Sequence, residues 1–342
     1  MIGVYHRGVP YLPRKLYGVF LRVVDLLPLP SLRVQRILAF IAILTQGGIA
    51  VTGAVVRVTG SGLGCPTWPQ CFPGSFTPVG VSEVPILHQA VEFGNRLLTF
   101  VVVLAAAAVV IAVTRARRRR GVLFFAWLMP LGTVVQAVIG GFTVLTGLLW
   151  WTVAVHLVVS MAMVWLATLL YAKVGESDAA SESTPTVPGA LRALTGLSGI
   201  ALAGVLIAGT MVTGAGPHAG DKSIEEPVPR LGIEIVTLVH AHSQFLVGYL
   251  ALLVGLAFAL YAVRAPKTVT FRLNVLIVLV LAQSLIGLVQ YFTGVPAVLV
   301  AFHVAGAGAC TAATAAVWAA CRTRGPAATD KIETAEDVAV HS

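Results

Sequence analysis

The stretch HQAVEFGNR, residues 88–96, carries several side chains that could do chemistry just before a long apolar run. His88, Glu92 and Asn95 are spaced by four and then three residues, so they share one face of a helix. Ionisable groups inside a membrane are costly and are therefore candidates for function. Glu92 could act as a catalytic carboxylate that relays protons, stabilises a developing positive charge or orients a water. The structural alternative is a salt bridge with Arg96.

Further histidines lie in or beside apolar segments, at His156, His240, His242 and His303. A pair of histidines on facing helices suits axial ligation of haem iron. Imidazole also suits zinc or copper, but a closed zinc site takes four ligands, and cysteine is common among them. No Cys-x-x-Cys pattern lies near these histidines. Haem is therefore the favoured ligand, and a packed, hydrogen-bonded core histidine is the structural alternative.

The elements that must position these residues are membrane-spanning helices. Only 11% of the 342 residues are charged, whereas a soluble domain carries about a quarter. Six segments contain no Asp, Glu, Lys or Arg: 37–56, 97–114, 121–172, 193–220, 235–263 and 273–321. A span needs roughly 20 apolar residues, so four of these segments hold one span each.

The two longest charge-free segments are about twice the length of one span. The first is broken at Gly147 with Trp150 and Trp151, and the second at Gly294 with Pro296. Each is therefore predicted to be two helices joined by a tight turn. The fold class that follows is an all-α integral membrane protein with eight transmembrane helices.

The distribution of Lys and Arg predicts the orientation of these spans. Nineteen of the 23 basic residues fall in segments that we expect in the cytoplasm: 1–36, 115–120, 173–192, 264–272 and 321–342. Both termini are then cytoplasmic, in a multi-pass protein of the cell membrane. The run RARRRR at 115–120 is interpreted as a topology anchor facing anionic membrane lipid rather than as a nucleic-acid patch.

An internal repeat relates the two halves of the chain. QAVIGGFTVLTGLLWWTVAVH (136–156) aligns without gaps with QSLIGLVQYFTGVPAVLVAFH (283–303), at an offset of 147 residues that pairs His156 with His303. The leading halves match more loosely: VEFGN (91–95) lies opposite VTLVH (236–240) at an offset of 145 residues, which opposes Asn95 to His240. His240 and His242 are two residues apart and point to different sides of a helix. The repeat favours His240 as the inward residue and leaves His242 as a packing, outer-loop or lipid-edge residue.

The repeat predicts two tandem four-helix bundles related by a parallel internal repeat, with the symmetry axis along the membrane normal. The predicted division is a basic cytoplasmic N-terminal segment, an N-terminal bundle, a flexible cytoplasmic linker, a C-terminal bundle and a disordered cytoplasmic tail, at 1–35, 36–172, 173–190, 191–320 and 321–342. Within the first segment, residues 15–27 could form an amphipathic helix along the inner membrane surface.

The cysteines fall into two groups. Cys65 and Cys71 lie in CPTWPQC in the first outer loop, on the side of the membrane where disulfides persist. A disulfide is therefore favoured over two free thiols. Cys310 and Cys321 lie on the last span and at its cytoplasmic end, and we expect them to be small packing residues.

Over residues of about 36–320, the sequence resembles the haem A synthase family. The resemblance rests on the first outer loop VTGSGLGCPTWPQC, the EFGNR start of span 2, the two helix pairs that end in TVAVH and VAFH, and the duplicated four-helix layout. Each feature is weak alone, and together they are specific.

The resemblance implies an activity, a substrate and a cofactor. The family oxidises the C8 methyl group of haem O to a formyl group, by two hydroxylations and loss of water, to make haem A for terminal oxidases. A resident haem b lies between two histidines of the C-terminal bundle, here His240 and His303. The N-terminal bundle is the substrate haem site, with Glu92 from its Glu-x-x-His motif and His156 as iron ligand. A haem O synthase and an electron donor or acceptor protein are implied as partners.

Two departures from the family pattern bear on the substrate site. Asn95 stands where the motif has histidine, and the third outer loop lacks the cysteine pair that some members carry. Asparagine is a poor iron ligand, so iron held by His156 alone would have an open or water-filled sixth position. His88 is the alternative second ligand. Arg57 and Arg96 could bind haem propionates as forks, or could be snorkelling residues at the membrane interface.

Two other classes of function remain open at this point. A di-haem cytochrome b that carries electrons usually has one haem near each membrane face, whereas these histidines all lie near the outer face. A transporter is suggested by the repeat alone, and transporter sites lie near the midplane.

Overall fold

The computed structural model describes residues 14–80, 84–179, 182–221 and 227–325. These residues form helices α1 to α9 and two short strands, in the order α1 (Arg14–Asp25), α2 (Leu32–Thr59), α3 (Ile86–Arg115), α4 (Arg120–Leu145), α5 (Trp150–Val174), β1 (Thr184–Pro185), α6 (Gly189–Ala215), α7 (Ile235–Ala262), α8 (Lys267–Phe292), α9 (Ala297–Ala320) and β2 (Arg322–Thr323).

Eight of these helices, α2 to α9, are long and apolar enough to cross a membrane, which confirms the predicted number of spans. Both predicted breaks are present. The first long charge-free segment divides between Leu145 and Trp150, and the second divides between Phe292 and Ala297.

The two breaks are turns of the same local form. Gly147 and Leu148 have φ angles of 65° and 60°, and Gly294 and Val295 have φ angles of 75° and 57°. The left-handed conformation stops the preceding helix and reverses the chain, and glycine adopts it without a steric penalty. A β-branched residue such as Val295 adopts it at a cost, so the helices on either side of the turn must hold it in place.

The helices pack as two groups that contact one another. Helices α2 to α5 form the N-terminal half and α6 to α9 form the C-terminal half, while α2 and α5 also pack on α9 and α5 packs on α6. Each half has its own apolar core. A buried hydrogen bond of 2.7 Å joins Tyr249 on α7 to Thr314 on α9 within the C-terminal core.

The basic turn between α3 and α4 is bound to other parts of the chain. Arg117 forms an ion pair of 2.7 Å with Asp25 at the end of α1. Arg118 is buried and pairs with Asp178 at 2.5 Å, and Arg119 pairs with Glu176. The interpretation of this run as a lipid-facing anchor is therefore incomplete, because its central arginines bind acidic residues of the protein.

The described parts of the linker and tail are more ordered than predicted. Besides the ion pairs of its first residues, the linker forms strand β1, which pairs antiparallel with β2 in the tail. Thr186 donates its hydroxyl to the carbonyl of Ala320 at 2.6 Å. At these positions the two segments supply each other with backbone partners, while the flexibility of the rest of the linker and the disorder of the tail stay predictions.

Residues 15–27 were predicted to be helical, and α1 covers most of them. Leu16, Val19 and Val23 are exposed on one side of α1, and Phe20 packs edge-on against Trp127 of α4, with ring centroids 5.9 Å apart. Contact of the exposed side with a membrane surface stays a prediction. Residues 1–13 of the basic segment and 326–342 of the tail lie outside the described residues.

Candidate functional site

His156 and His303 occupy matching environments in the two halves. His156 is the seventh residue of α5, and His303 is the seventh residue of α9. Each ring lies against a glycine of the preceding helix: a methyl group added at Gly140 would lie 3.3 Å from Cε1 of His156, and one at Gly287 would lie 3.2 Å from Cε1 of His303. Only glycine allows the two backbones and the rings to approach this closely without a shift.

A glutamine also fixes the backbone at each histidine. Gln136 donates its side-chain amide to the carbonyl of His156 at 3.3 Å, and Gln283 donates to the carbonyl of His303 at 2.7 Å. Gln136 makes a second bond, of 2.5 Å, to the hydroxyl of Ser160 one turn below. These bonds tie neighbouring helices together at the level of the histidines.

Neither imidazole is fully satisfied within the described part of the chain. Nδ1 of His156 and Nδ1 of His303 are both buried without a hydrogen-bond partner there. Leaving a buried polar group unpaired costs about 1–3 kcal/mol, and such exceptions in a native protein call for an explanation. A ligand bound at these rings is one such explanation.

On α7 the structure brings His242, rather than His240, to His303. The rings of His242 and His303 are 6.4 Å apart between centroids, and Nδ1 of His242 lies 3.0 Å from the carbonyl of Val205. His240 is exposed. Of the three alternatives for His242, these contacts agree with a packing residue and not with an outer-loop or lipid-edge residue.

Helix geometry explains this placement. His242 lies seven residues before Tyr249 and four after Leu238, and both of those residues are buried. Positions separated by four and seven residues share one helix face, so His242 belongs to the buried face of α7. The looser alignment selected His240 at an offset of 145 residues, whereas the offset of 147 that pairs His156 with His303 pairs Asn95 with His242.

Glu92 is buried beneath the first outer loop, with 5% of its surface exposed. Its Oε2 accepts the backbone N–H of Cys65 at 2.8 Å, and its Oε1 accepts Nη2 and Nε of Arg96 at 2.7 and 3.2 Å. The salt bridge considered as the structural alternative is thus present. Three donors therefore fix the position of this carboxylate.

Arg96 uses all its donors within the protein. Besides Glu92, it donates from Nη2 to the carbonyl of Cys65 at 2.8 Å, and from Nη1 to the carbonyls of Thr67 and Gln70 at 3.0 and 3.2 Å. A guanidinium has five N–H donors, so none remains for a propionate in this arrangement. The expectation that Arg96 binds a haem propionate with two parallel N–H donors does not fit these contacts.

Asn95 and His88, the two candidates for the missing ligand position, each bind a neighbour. The hydroxyl of Thr52 on α2 donates to Oδ1 of Asn95 at 2.7 Å. Nδ1 of His88 lies 2.8 Å from the hydroxyl of Ser61, in the outer loop. His88 therefore interacts with the loop above the bundle, and Asn95 interacts with the helix beside it.

Arg57 lies at the junction of the two halves, together with Arg230, which was not predicted as a site residue. Both donate to the carbonyl of Thr213 at the outer end of α6, at 3.2 and 3.0 Å. Burial lowers the pKa of Arg230 from its usual value. Nε of Arg57 and Nη1 of Arg230 are buried donors that lack an acceptor among the described residues. The only signal for Arg230 in the sequence was its positive charge within the third outer loop.

The predicted disulfide is present. Cys65 and Cys71 are joined by an S–S bond of 2.01 Å across a separation of six residues. Cys310 and Cys321 are free and buried, as expected for packing residues. Burial raises the pKa of the Cys321 thiol, which keeps it protonated.

The chain matches the family model COX15-CtaA, described as cytochrome oxidase assembly protein, over residues 36–314. It is also 30% identical over 124 residues to a Heme A synthase of Geobacillus thermodenitrificans, an alignment that covers 36% of this chain and 35% of the relative. The alignment thus spans about a third of the length of this curated relative.

The family match covers both halves of the structure. It includes Arg57, Glu92, His156 and His303, together with the outer loop that carries the disulfide. This chain belongs to the COX15-CtaA family of cytochrome oxidase assembly proteins.

Proposed function

We propose that this protein is a haem A synthase, an oxidoreductase that converts the C8 methyl group of haem O to a formyl group. Family membership and the name of the Geobacillus relative support this proposal. The observation that carries it is the pair of matched histidines, His156 and His303, each seated against a glycine with a buried and unpartnered ring nitrogen. Two such rings on separate helices suit two macrocycles, one in each half.

In the C-terminal half, we propose a resident haem b held by His303 and one histidine of α7. The orphaned Nδ1 of His303 and the imidazole of His242 at 6.4 Å fit the donor set that haem iron takes. The looser alignment of the leading halves selects His240 instead, which is exposed, whereas the offset of 147 residues that pairs His156 with His303 pairs Asn95 with His242. When bound, haem b supplies an iron centre that exchanges single electrons.

In the N-terminal half, His156 holds the iron of the substrate haem O. Asn95 occupies the position where the family motif has histidine, so this ligation is the weaker of the two, as a substrate that must leave requires. Arg57 has a buried Nε without an acceptor and is the candidate donor to a propionate. Arg96 is left out of this role because its donors are occupied.

The reaction converts a methyl group to a formyl group by two hydroxylations and loss of one water, which removes four electrons from the carbon. Positive charge develops at that carbon as electrons leave it. The carboxylate of Glu92, held in place by Arg96 and by the Cys65 N–H, can stabilise such a charge in a low-dielectric site. The fixed position of Glu92 supports this role, and proton relay and the orientation of a water are the alternatives.

We further propose that the two halves are parallel repeats and that both termini face the cytoplasm of the cell. The matched Gln, Gly and His contacts at an offset of 147 residues support the repeat. The bias of basic residues supports the orientation, and the disulfide agrees with an oxidising outer side. Haem O synthase and an electron donor or acceptor protein are the proposed partners.

The electron-carrier alternative has less support from the geometry. His156 and His303 both lie seven residues into the fourth and eighth spans. Spans separated by four crossings run in the same direction, so the two histidines lie near the same membrane face. A di-haem carrier across the membrane would place one haem near each face.

The decisive experiment is extraction and chromatography of the haems from the purified protein and from cells. We expect one haem b per chain, with variable amounts of haem O or haem A, and we expect cells without the protein to accumulate haem O and lack haem A. Two low-spin haems b at fixed stoichiometry without haem O turnover would favour the electron carrier. Normal haem A in the deletion strain would exclude the proposed activity.

A further inference from the structure

We propose that Trp68 is a positioning residue of the N-terminal site. Its indole closes the space beside His156 and contacts the macrocycle that is bound there. This inference rests on the proposed function, since it takes haem O as the ligand of that half. Trp68 belongs to the outer loop bounded by Cys65 and Cys71, and no property of the loop's sequence alone shows where its ring points.

The ring of Trp68 packs directly on helix α4. A methyl group added at Gly141 would lie 2.7 Å from Cγ and 2.6 Å from Cε2 of the indole, so only glycine admits the ring at this position. The neighbouring residue, Gly140, is the seat of His156. The indole and the imidazole therefore rest on adjacent residues of one helix, close to its outer end at Leu145.

The loop that carries Trp68 is fixed on both sides of the indole. Arg96 binds the carbonyls of Thr67 and Gln70, which flank Trp68 in sequence. The Thr67 hydroxyl donates to the same Gln70 carbonyl at 2.8 Å, and Glu92 accepts the N–H of Cys65. The buried ion pair thus holds the loop, and through the loop it holds the ring.

The C-terminal half lacks this arrangement. At the offset of 147 residues, Gly140 corresponds to Gly287, which seats His303, whereas Gly141 corresponds to Leu288. Leu288 is 54% exposed and carries no such ring. Among the described residues, a glycine contacts the histidine ring in both halves, while a glycine that contacts an aromatic ring of the loop is found in the half that we assign to the substrate.

An indole suits this task physically. It offers a flat apolar face that interacts with another π-system at small conformational cost. Trp68 keeps 38% of its surface exposed despite its contact with Gly141, so part of the ring is free to meet a ligand. An aromatic contact of this kind changes affinity by about three- to tenfold.

The test measures binding of haem O, presented in detergent micelles, to the purified full-length protein through the change in its absorption spectrum. We expect Trp68→Ala to weaken binding about three- to tenfold and Trp68→Phe to restore most of it. Gly141→Ala should act like Trp68→Ala because the added methyl displaces the ring. Each variant should retain haem b in the C-terminal half, since Trp68 lies outside it.

The matched control is Trp151→Ala. Trp151 is an exposed tryptophan, 45% accessible, whose ring contacts Phe142 at 6.0 Å between centroids, and its removal should leave haem O binding unchanged. Trp68→Leu keeps an apolar side chain on Gly141 and serves if the alanine variant unfolds, because it removes only the aromatic face. Wild-type affinity in both Trp68→Ala and Trp68→Leu, with native melting temperatures, would overturn the inference.

Failure of the proposed function would look different. In that case the wild-type protein itself would neither bind nor convert haem O, whatever residue stands at position 68. A loss of haem O affinity in Trp68→Ala that matched an equal loss in Trp151→Ala would also overturn the inference, because the effect would then be general to the outer surface.

Discussion

Glu92 and Arg96 form a buried ion pair on one face of α3, with Oε1 and Nη2 2.7 Å apart, and both residues also bind the backbone of the loop between Cys65 and Cys71. Their spacing of four residues makes the pair possible on a helix. The contacts with the loop make the pair the link between the outer surface and the N-terminal site.

Glu92→Gln should abolish most haem A formation while haem b stays bound. The neutral amide keeps the shape of the side chain but cannot stabilise positive charge, so we expect product to fall by about 10²- to 10³-fold. Chromatography of extracted haems measures the product. Unpairing Arg96 should also cost about 3 kcal/mol of stability, so the melting temperature is recorded alongside.

The control for this variant is Asp25→Asn. Asp25 pairs with Arg117 at 2.7 Å, but both side chains are 43% exposed, so the ion pair contributes about 0–1 kcal/mol. Neither product nor stability should change much. Unchanged product in Glu92→Gln would remove Glu92 from the chemistry and leave it only the loop contacts.

Reduction of the outer disulfide should destabilise the protein by about 2–3 kcal/mol, because the crosslink between Cys65 and Cys71 restricts the unfolded chain. Thermal unfolding with and without a reductant measures the difference, and Cys65→Ser with Cys71→Ser should reproduce it. Cys321→Ala should respond to reductant as the wild type does, since Cys321 is a buried free thiol. An equal melting temperature with and without reductant would contradict this prediction.

Substitution of the α7 histidines should separate their roles. His303→Ala and one of the variants His240→Ala and His242→Ala should lose haem b, and the remaining α7 variant should keep it. The contact of His242 with His303 predicts loss in His242→Ala, whereas the looser alignment of the leading halves predicts loss in His240→Ala. The absorption of the reduced haem per chain decides between them, and retention of haem b in all three variants would refute the proposed cofactor site.

Gly287→Ala should weaken the binding of haem b. Its methyl would lie 3.2 Å from Cε1 of His303, so the imidazole must shift, and such overpacking costs about 1–3 kcal/mol. Haem b retained during purification gives the readout. Gly255→Ala is the matched control, because no atom lies within 4 Å of the added methyl, and it should stabilise α7 by about 0.5–1 kcal/mol. Equal haem content in the two variants would show that Gly287 does not confine the imidazole of His303.

Asn95→His should add a second axial ligand to the haem of the N-terminal half. Asn95 corresponds to the histidine of the family motif. The substitution removes the hydrogen bond that Oδ1 of Asn95 accepts from the hydroxyl of Thr52. A change of the substrate haem to a low-spin spectrum is expected. Phe93→His, which lies two residues away and on another side of α3, should leave the spectrum unaltered. The same result in Asn95→His would indicate that this position faces α2 rather than the iron.

The spans and their breaks were predictable because they depend on local properties. Absence of charge over about 20 residues marks a span, and Gly147 and Gly294 mark the left-handed turns between paired helices. The disulfide followed from the position of Cys65 and Cys71 in one outer loop. The linker was misjudged because its composition is polar, while its order comes from arginines and a strand partner more than 50 residues away in sequence.

The candidate site was predictable in its residue types and only partly in its geometry. Spacing placed Glu92 and Arg96 one turn apart. It could not show that the other N–H groups of Arg96 donate to backbone carbonyls of the loop. Arg230 was missed because it lies in a loop and donates to the carbonyl of Thr213 on α6. Every residue has a backbone carbonyl, so the sequence does not show which one is bound.

The sequence by itself determined the membrane class, the number of spans, the matched histidines His156 and His303 and the family, because these rest on composition, periodicity and motifs along the chain. Only the tertiary structure decided which histidine of α7 meets His303 and where the ring of Trp68 lies. Those relationships depend on how helices rotate and pack against residues that are distant in sequence. Packing is settled by the fit of whole helix faces, so no local pattern could fix it.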